Sequence, residues 1–341
     1  MQSRFKQAAL FAAKLLLSIA VLVYIARGLD LPKLQAHLVS VDPVMFALAL
    51  AMVFLQTFVL NGRWELIMRA LGVSLDWLAG WRILMISLWF NQVLPSSVGG
   101  DAVRMWLLRQ RGVQWSDAVK GVAADRFTAL IGLVVLMVLG LPALLSRVSN
   151  QAALLAIGGL TLAGVAGSVV LMTLDRLPKR LIGIPAVASF VRFGTLIRFL
   201  LLQSERRGAL FGSALLIHVV TALACYVLAR GVGANLSVLD AGILIPPVIL
   251  LTAVPISISG WGVREGAMVA CLGLAGVPSE EALSVSLLLG AVSVIIGVVG
   301  GVIWLVSPER GLYSADKAAN ASEEAPNYRL GQGEEVSTRS P

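Results

Sequence analysis

Six apolar stretches, at residues 8–26, 43–60, 119–145, 152–174, 208–229 and 282–306, each run for about the ~20 residues that a helix needs to cross a bilayer. Segments of this kind leave the backbone no partner but itself, so they constrain the fold more than any other feature of the chain. With 58% hydrophobic and 13% charged residues, and a mean hydropathy of +0.87, the chain reads as an integral membrane protein. The expected class is all-α, a polytopic membrane helix bundle. Arg4 and Lys6 precede the first stretch as they would in a signal peptide. Lys14 interrupts it, however, and Ala26-Arg27 offers no small-residue cleavage pattern, so it is expected to stay as a first helix.

The formal charge of +8 has a topological origin rather than a nucleic acid partner. Basic residues gather in particular loops, as they do where they set membrane orientation. Between residues 175 and 207 lie Arg176, Lys179, Arg180, Arg192, Arg198, Arg206 and Arg207, seven basic residues against two acidic ones. That loop is expected on the cytoplasmic side, together with the N-terminus, the stretch holding Arg63, Arg69 and Arg82, and the segment from Arg109 to Lys120. Part of the loop, 186–203, mixes Phe190, Phe193 and Leu196 with Arg192 and Arg198 and is expected as an amphipathic helix on the inner interface.

Basic charge on both sides of 81–94 conflicts with a full crossing there. About 14 residues of helix reach only about 21 Å, against a ~30 Å hydrocarbon core. Pro95, Gly99 and Gly100 supply a reversal, with 102–108 as the returning half-helix. A second such segment runs from Asp240 to Gly276, broken by Pro255, Gly260, Gly262 and Gly266, and its ends are poor in positive charge. The two breaks carry one pattern. Pro95, Ser97, Gly100, Val103 and Arg104 recur 160 positions later as Pro255, Ser257, Gly260, Val263 and Arg264. Two re-entrant helical hairpins entering from opposite faces are therefore expected. They would sit in inverted repeats, 1–148 and 149–306, the second carrying the basic insertion 175–207, followed by a disordered cytoplasmic tail, 307–341.

Charges within the membrane cost about 2.5–3.5 kcal/mol each and mark functional sites unless they neutralise one another. Three pairs are expected from adjacency: Asp101 with Arg104, Asp125 with Arg126, and Arg264 with Glu265. Half-helices starting near Gly100 and Gly260 would point free amides at an anion. Arg104 and Arg264 would add charge-assisted hydrogen bonds, and Ser96, Ser97, Ser257 and Ser259 are candidate donors. Asp101 and Glu265 would tether the arginines or carry a coupling proton, or Asp101 would act as a helix cap. Asn91, one turn before Pro95, needs a partner that the broken backbone can supply. Trp81, Trp89, Trp106, Trp115 and Trp261 read as interface anchors. Cys225 and Cys271 read as buried packing, and His218 as a hydrogen bonder between helices. His37 and His218 are too few and too isolated for a metal cluster, so neither a metal nor a cofactor is expected.

The run Asn91, Leu94, Pro95, Gly99, Gly100, Asp101, Arg104, then Asp125-Arg126, and later Pro255, Gly260, Gly262, Arg264, Glu265, resembles the flippase-like family related to the membrane region of lysylphosphatidylglycerol synthases. The resemblance covers residues 8–306. It implies a multi-pass cell-membrane protein that moves, or helps to modify, a lipid with a polar head. No counterpart of a soluble aminoacyl-transferase domain is expected after Val306, so lysyl transfer by this chain is not expected. The leading expectation is translocation of a lipid with an anionic or polar head, its phosphate bound by Asn91, Ser97, Gly100, Asp101, Arg104, Asp125, Arg126, Ser257, Gly260, Arg264 and Glu265. The alternatives are a membrane-embedded enzyme on lipid-linked phosphates, with Asp101, Asp117 and Asp125 as metal ligands, and an accessory subunit for a glycosyltransferase or lipid-modifying enzyme.

Overall fold

Apolar length translates into helix throughout the described residues of the computed structural model, which are 30–94, 99–253 and 260–307. The expected first helix at 8–26 and the tail after Ser307 lie outside them. A short helix α1 (Leu31–Val39) precedes the long α2 (Pro43–Ala70). Then follow α3 (Trp77–Val93), α4 (Gly99–Gln110), α5 (Trp115–Arg147), α6 (Gln151–Thr173), the single turn α7 (Lys179–Ile182), α8 (Pro185–Arg198), α9 (Arg207–Gly231), α10 (Val238–Ala253), α11 (Val263–Gly273) and α12 (Ser279–Val306). Side-chain oxygens cap the starts. Asp42 accepts from the Val44 amide at 2.8 Å, Asp76 from Ala79 at 3.0 Å and Asn150 from Ala153 at 3.0 Å.

Among the described residues, six helical segments are long and apolar enough to cross a membrane: Pro43–Ala70, Trp115–Arg147, Gln151–Arg176, Pro185–Gln203, Arg207–Gly231 and Ser279–Val306. Five coincide with stretches expected from sequence. The sixth, Pro185–Gln203, is α8 with its π-helical end Phe199–Gln203. Its contacts lie at one end of the bundle. Gly194 sits against Leu171, and Arg198 clamps Asp175 at 2.8 and 2.7 Å while donating to the Met172 carbonyl, all at the last turns of α6. Ile197 and Leu200 pack with Ile67, Ala124 and Leu210, which lie toward the end of α2 and the starts of α5 and α9.

The order long helix, two short helices, long helix occurs twice, as α2–α5 and α9–α12. The first set begins at residues 43, 77, 99 and 115, the second at 207, 238, 263 and 279, an offset of about 160. Exchanging the two sets leaves the packing map unchanged. α2 packs on α9; α3 packs on α12 as α10 packs on α5; α4 on α5 as α11 on α12; α2 on α5 as α9 on α12. Helix ends repeat as well. α4 closes through Gly112 (φ 84°) and α11 through Gly276 (φ 78°), left-handed positions that glycine alone occupies without penalty. In each, the next valine reaches back, Val113 to the Leu108 carbonyl and Val277 to that of Leu272, both at 3.2 Å.

α2 and α9 are antiparallel. The Asp42 amide donates to the Gly231 carbonyl at 2.9 Å at one end, Gln56 and Thr221 hydrogen bond midway at 3.2 Å, and Ile67 and Leu210 share a cluster at the other end. The short helices that follow α2 and those that follow α9 therefore open toward opposite ends of the bundle. The pair α3–α4 doubles back tightly: Gly99 lies against Leu94, and Gly100 against Ser87 and Asn91. In α10–α11, Gly260 (φ 81°) lies 3.6 Å from the Thr252 side chain, measured from the place of a Cβ. With 17 and 12 residues in α3 and α4, and 16 and 11 in α10 and α11, each arm reaches about 16–26 Å, short of the hydrocarbon thickness. α10 also contains Pro246 and Pro247, which deprive the carbonyls of Gly242 and Ile243 of their helical donors without ending the helix.

Candidate functional site

Charged side chains meet where α2, α4 and α5 converge. Asp125 of α5 lies between two arginines, accepting from Arg63 Nε of α2 at 2.8 Å and from Arg104 Nη1 of α4 at 3.0 Å. Arg126, the next residue, turns about 100° away and clamps Asp101 of α4 with two bonds of 2.8 Å. The adjacency pairing expected from sequence is thus corrected: Asp101 serves Arg126, and Asp125 serves Arg104. Asp125 and Arg126 point away from one another on α5 and each meets a partner on another helix, which leaves Asp101 and Arg104 of α4 bonded across to α5 rather than to one another. Asp101, Arg104 and Asp125 are buried, whereas the Arg126 side chain is 57% exposed.

Arg63 is 2% exposed, within the stretch that its charge marks as cytoplasmic in sequence. The apolar run of α2 falters at Asn61, but the helix continues to Ala70, so Arg63 lies two turns inside it. Leu66, Ile67 and Met68 after it were the signal that the span had not ended. Trp64 was also missed: its ring lies 3.7 Å below the Arg104 guanidinium carbon. Around this point Arg63 Nη1, Trp64 Nε1, Arg104 Nε, Arg104 Nη2 and Thr128 Oγ1 are all buried with no hydrogen-bond partner among the described residues. Three arginines against two aspartates leave one positive charge in excess.

A smaller cluster lies between α11 and α12. Arg264 donates to Glu265 Oε1 from Nε at 3.0 Å and from Nη2 at 2.7 Å, as adjacency suggested. Ser286 of α12 adds a hydroxyl at 3.1 Å. The other oxygen of Glu265 accepts the Gly262 amide at 2.5 Å, which fixes the start of α11. Gly290 opposite has no side chain, and a Cβ there would meet Arg264 Nη2 at 2.6 Å. Trp261 provides this arginine with an aromatic platform at 4.7 Å, a role different from the interface anchor expected. Trp81 likewise packs inward, stacking on Phe58 and donating to Thr57 Oγ1 at 3.0 Å.

Of the amides expected to be free at the half-helix starts, those of Gly100 and Gly262 are occupied. The Gly100 amide donates to Asn91 Oδ1 at 2.9 Å, which gives Asn91 its partner at the break, and a Cβ at Gly100 would collide with the Ser87 carbonyl. Gly262 is held by Glu265, and the Gly260 carbonyl accepts from the Arg264 amide at 2.9 Å. Ser96, Ser97, Ser257 and Ser259 lie outside the described residues, as do Pro95 and Pro255. Asn91, Gly100, Asp101, Arg104, Asp125 and Arg126 form one neighbourhood, and Gly260, Arg264 and Glu265 another. Among the described residues the two share no hydrogen bond or ion pair. Elsewhere, His218 Nε2 lies 2.9 Å from the Ala129 carbonyl between α9 and α5, and Cys225 and Cys271 are buried free thiols.

A comparison with curated proteins returns no match. The family described as the lysylphosphatidylglycerol synthase TM region matches residues 11–301, which include both charged clusters and both helix sets except the last five residues of α12. With its spans and this match, the chain is a multi-pass membrane protein that belongs to the lysylphosphatidylglycerol synthase TM region family.

Proposed function

We propose that this protein binds the anionic or polar head of a membrane lipid and translocates the lipid across the cell membrane. One observation carries the reading. Arg104, 2% exposed midway along a helix too short to span, keeps two N–H groups without an acceptor, in a cluster with a surplus positive charge. Such an arrangement favours an acceptor-rich anion over water or cation. The helix pairs that open toward opposite ends support inverted repeats with re-entrant hairpins, one hairpin accessible from each face of the membrane. Orientation follows from charge. Arg69, Arg82, Arg109, Arg111, Lys120, Arg176, Arg198, Arg206 and Arg207 belong to one end of the bundle. Asp30, Asp42, Asp240, Glu280 and Glu281 belong to the other. The basic end is cytoplasmic by the positive-inside rule, with the N-terminus and tail on that side and α8 across the inner interface.

The test is transbilayer movement of a fluorescent phospholipid in proteoliposomes of the full chain, read by dithionite quenching. Arg104→Gln and Arg264→Gln are each expected to slow movement at least tenfold, the scale of a lost charged hydrogen bond. Wild-type rates in both variants would reject the assignment of the arginines.

A further inference from the structure

We infer that Arg63, Trp64 and Thr128 join Arg104 in holding one singly charged oxyanion, a phosphodiester headgroup, and that Asp125 sets the charge this cluster accepts. The inference rests on the headgroup reading above and extends it to residues that the sequence pattern did not single out. The buried polar atoms left over at this point are Arg63 Nη1, Trp64 Nε1, Arg104 Nε and Nη2, and Thr128 Oγ1, four N–H groups and a hydroxyl. They are gathered by geometry. Asp125 bridges the two guanidinium groups at 2.8 and 3.0 Å, Trp64 stacks on Arg104 at 3.7 Å, and Thr128 stands one turn beyond Asp125 on the same face of α5. A ligand that satisfies such a set must be almost wholly acceptor, as phosphate oxygens are.

Charge then discriminates among phosphates. Arg63, Arg104 and Arg126 against Asp101 and Asp125 leave a net +1. A phosphodiester with one negative charge neutralises the cluster, whereas a phosphomonoester dianion leaves a buried charge uncompensated, which is costly away from water. Removing the charge of Asp125 raises the sum to +2 and should invert the preference.

The experiment measures binding of dihexanoyl phosphatidylglycerol, dihexanoyl phosphatidic acid and inorganic phosphate to the full chain in detergent. It is run at about pH 8.5, where monoesters are dianionic. Wild type is expected to bind phosphatidylglycerol more tightly than phosphatidic acid, and Asp125→Asn to reverse that order. Thr128→Val keeps shape and charge, Trp64→Phe keeps charge and a smaller aromatic ring beneath Arg104, and each should weaken phosphatidylglycerol binding several-fold; Arg63→Gln should weaken it about tenfold or more. Wild-type affinity in both Thr128→Val and Trp64→Phe, or an unchanged order in Asp125→Asn protein that still unfolds cooperatively, overturns the inference. Equal competition by inorganic phosphate assigns the cluster to free phosphate and overturns the headgroup part. If these binding effects hold but no lipid crosses the bilayer, only the transport reading fails. If Arg63→Gln transports at the wild-type rate while Arg104→Gln does not, only this inference fails.

Discussion

Gly300 and Gly140 stand 160 residues apart at equivalent contacts, and replacing each with alanine should have opposite effects. At Gly300 of α12 a Cβ would overlap the Met85 carbonyl oxygen of α3 and lie 2.7 Å from its carbon. Backbone cannot rotate away as a side chain does, so the helices must part by about 1 Å. Gly297 and Gly301 seat Gln92 and Trp89 along the same seam, and their contacts loosen with it. Overpacking of this kind costs roughly 1–3 kcal/mol, and in lipid no hydrophobic force between helices restores the contact. Alanine returns up to about 1 kcal/mol of helix propensity, leaving Gly300→Ala destabilised by about 1–2 kcal/mol. At Gly140 of α5 the nearest atoms, of Ile243, are 3.8 Å away. Gly140→Ala should therefore be neutral or stabilised by up to about 1 kcal/mol. Unfolding in mixed micelles with increasing SDS measures both. Equal midpoints for the two variants would refute the argument that backbone approach, rather than glycine itself, sets the cost.

Asn91→Leu should lose about 1–3 kcal/mol in the same assay, because the buried Gly100 amide loses its acceptor. His218→Leu should cost only about 0.6 kcal/mol, the average for a hydrogen bond between membrane helices, and a loss above 2 kcal/mol would point to a further role. Cys225 and Cys271 are buried, so maleimide should label neither in the folded protein and both after SDS denaturation, as read by mass spectrometry.

The spans were legible because about 20 apolar residues in lipid leave the backbone one solution. That helix would stop and resume was legible in the Gly- and Pro-bearing stretches near 95–100 and 255–262: α3 ends at Val93 and α4 starts at Gly99, and α10 ends at Ala253 and α11 starts at Val263. Partner choice was not legible. Asp125 stands next to Arg126 in sequence but faces Arg63 and Arg104 in space, since pairing depends on which helices adjoin. Arg63 was hidden by the polar residues at the end of its apolar run, and Trp64 and Thr128 by being ordinary residues of a helix. The seam of Gly297, Gly300 and Gly301 against α3 carries small-residue spacing, yet nothing in that spacing named the helix it would meet.

The two arginine clusters differ in what they tie together. Arg264, Glu265 and Trp261 belong to one short segment, bound outside it through Ser286. A slide of α11 past α12 therefore breaks no ion pair of this cluster, although the Arg147–Asp240 bridge still ties α10 to α5 at 3.0 Å. Any slide of α4 past α5 must instead pull Arg104 from Asp125 and Arg126 from Asp101. Relative motion is therefore cheaper between α11 and α12 than between α4 and α5, where two ion pairs act as a latch.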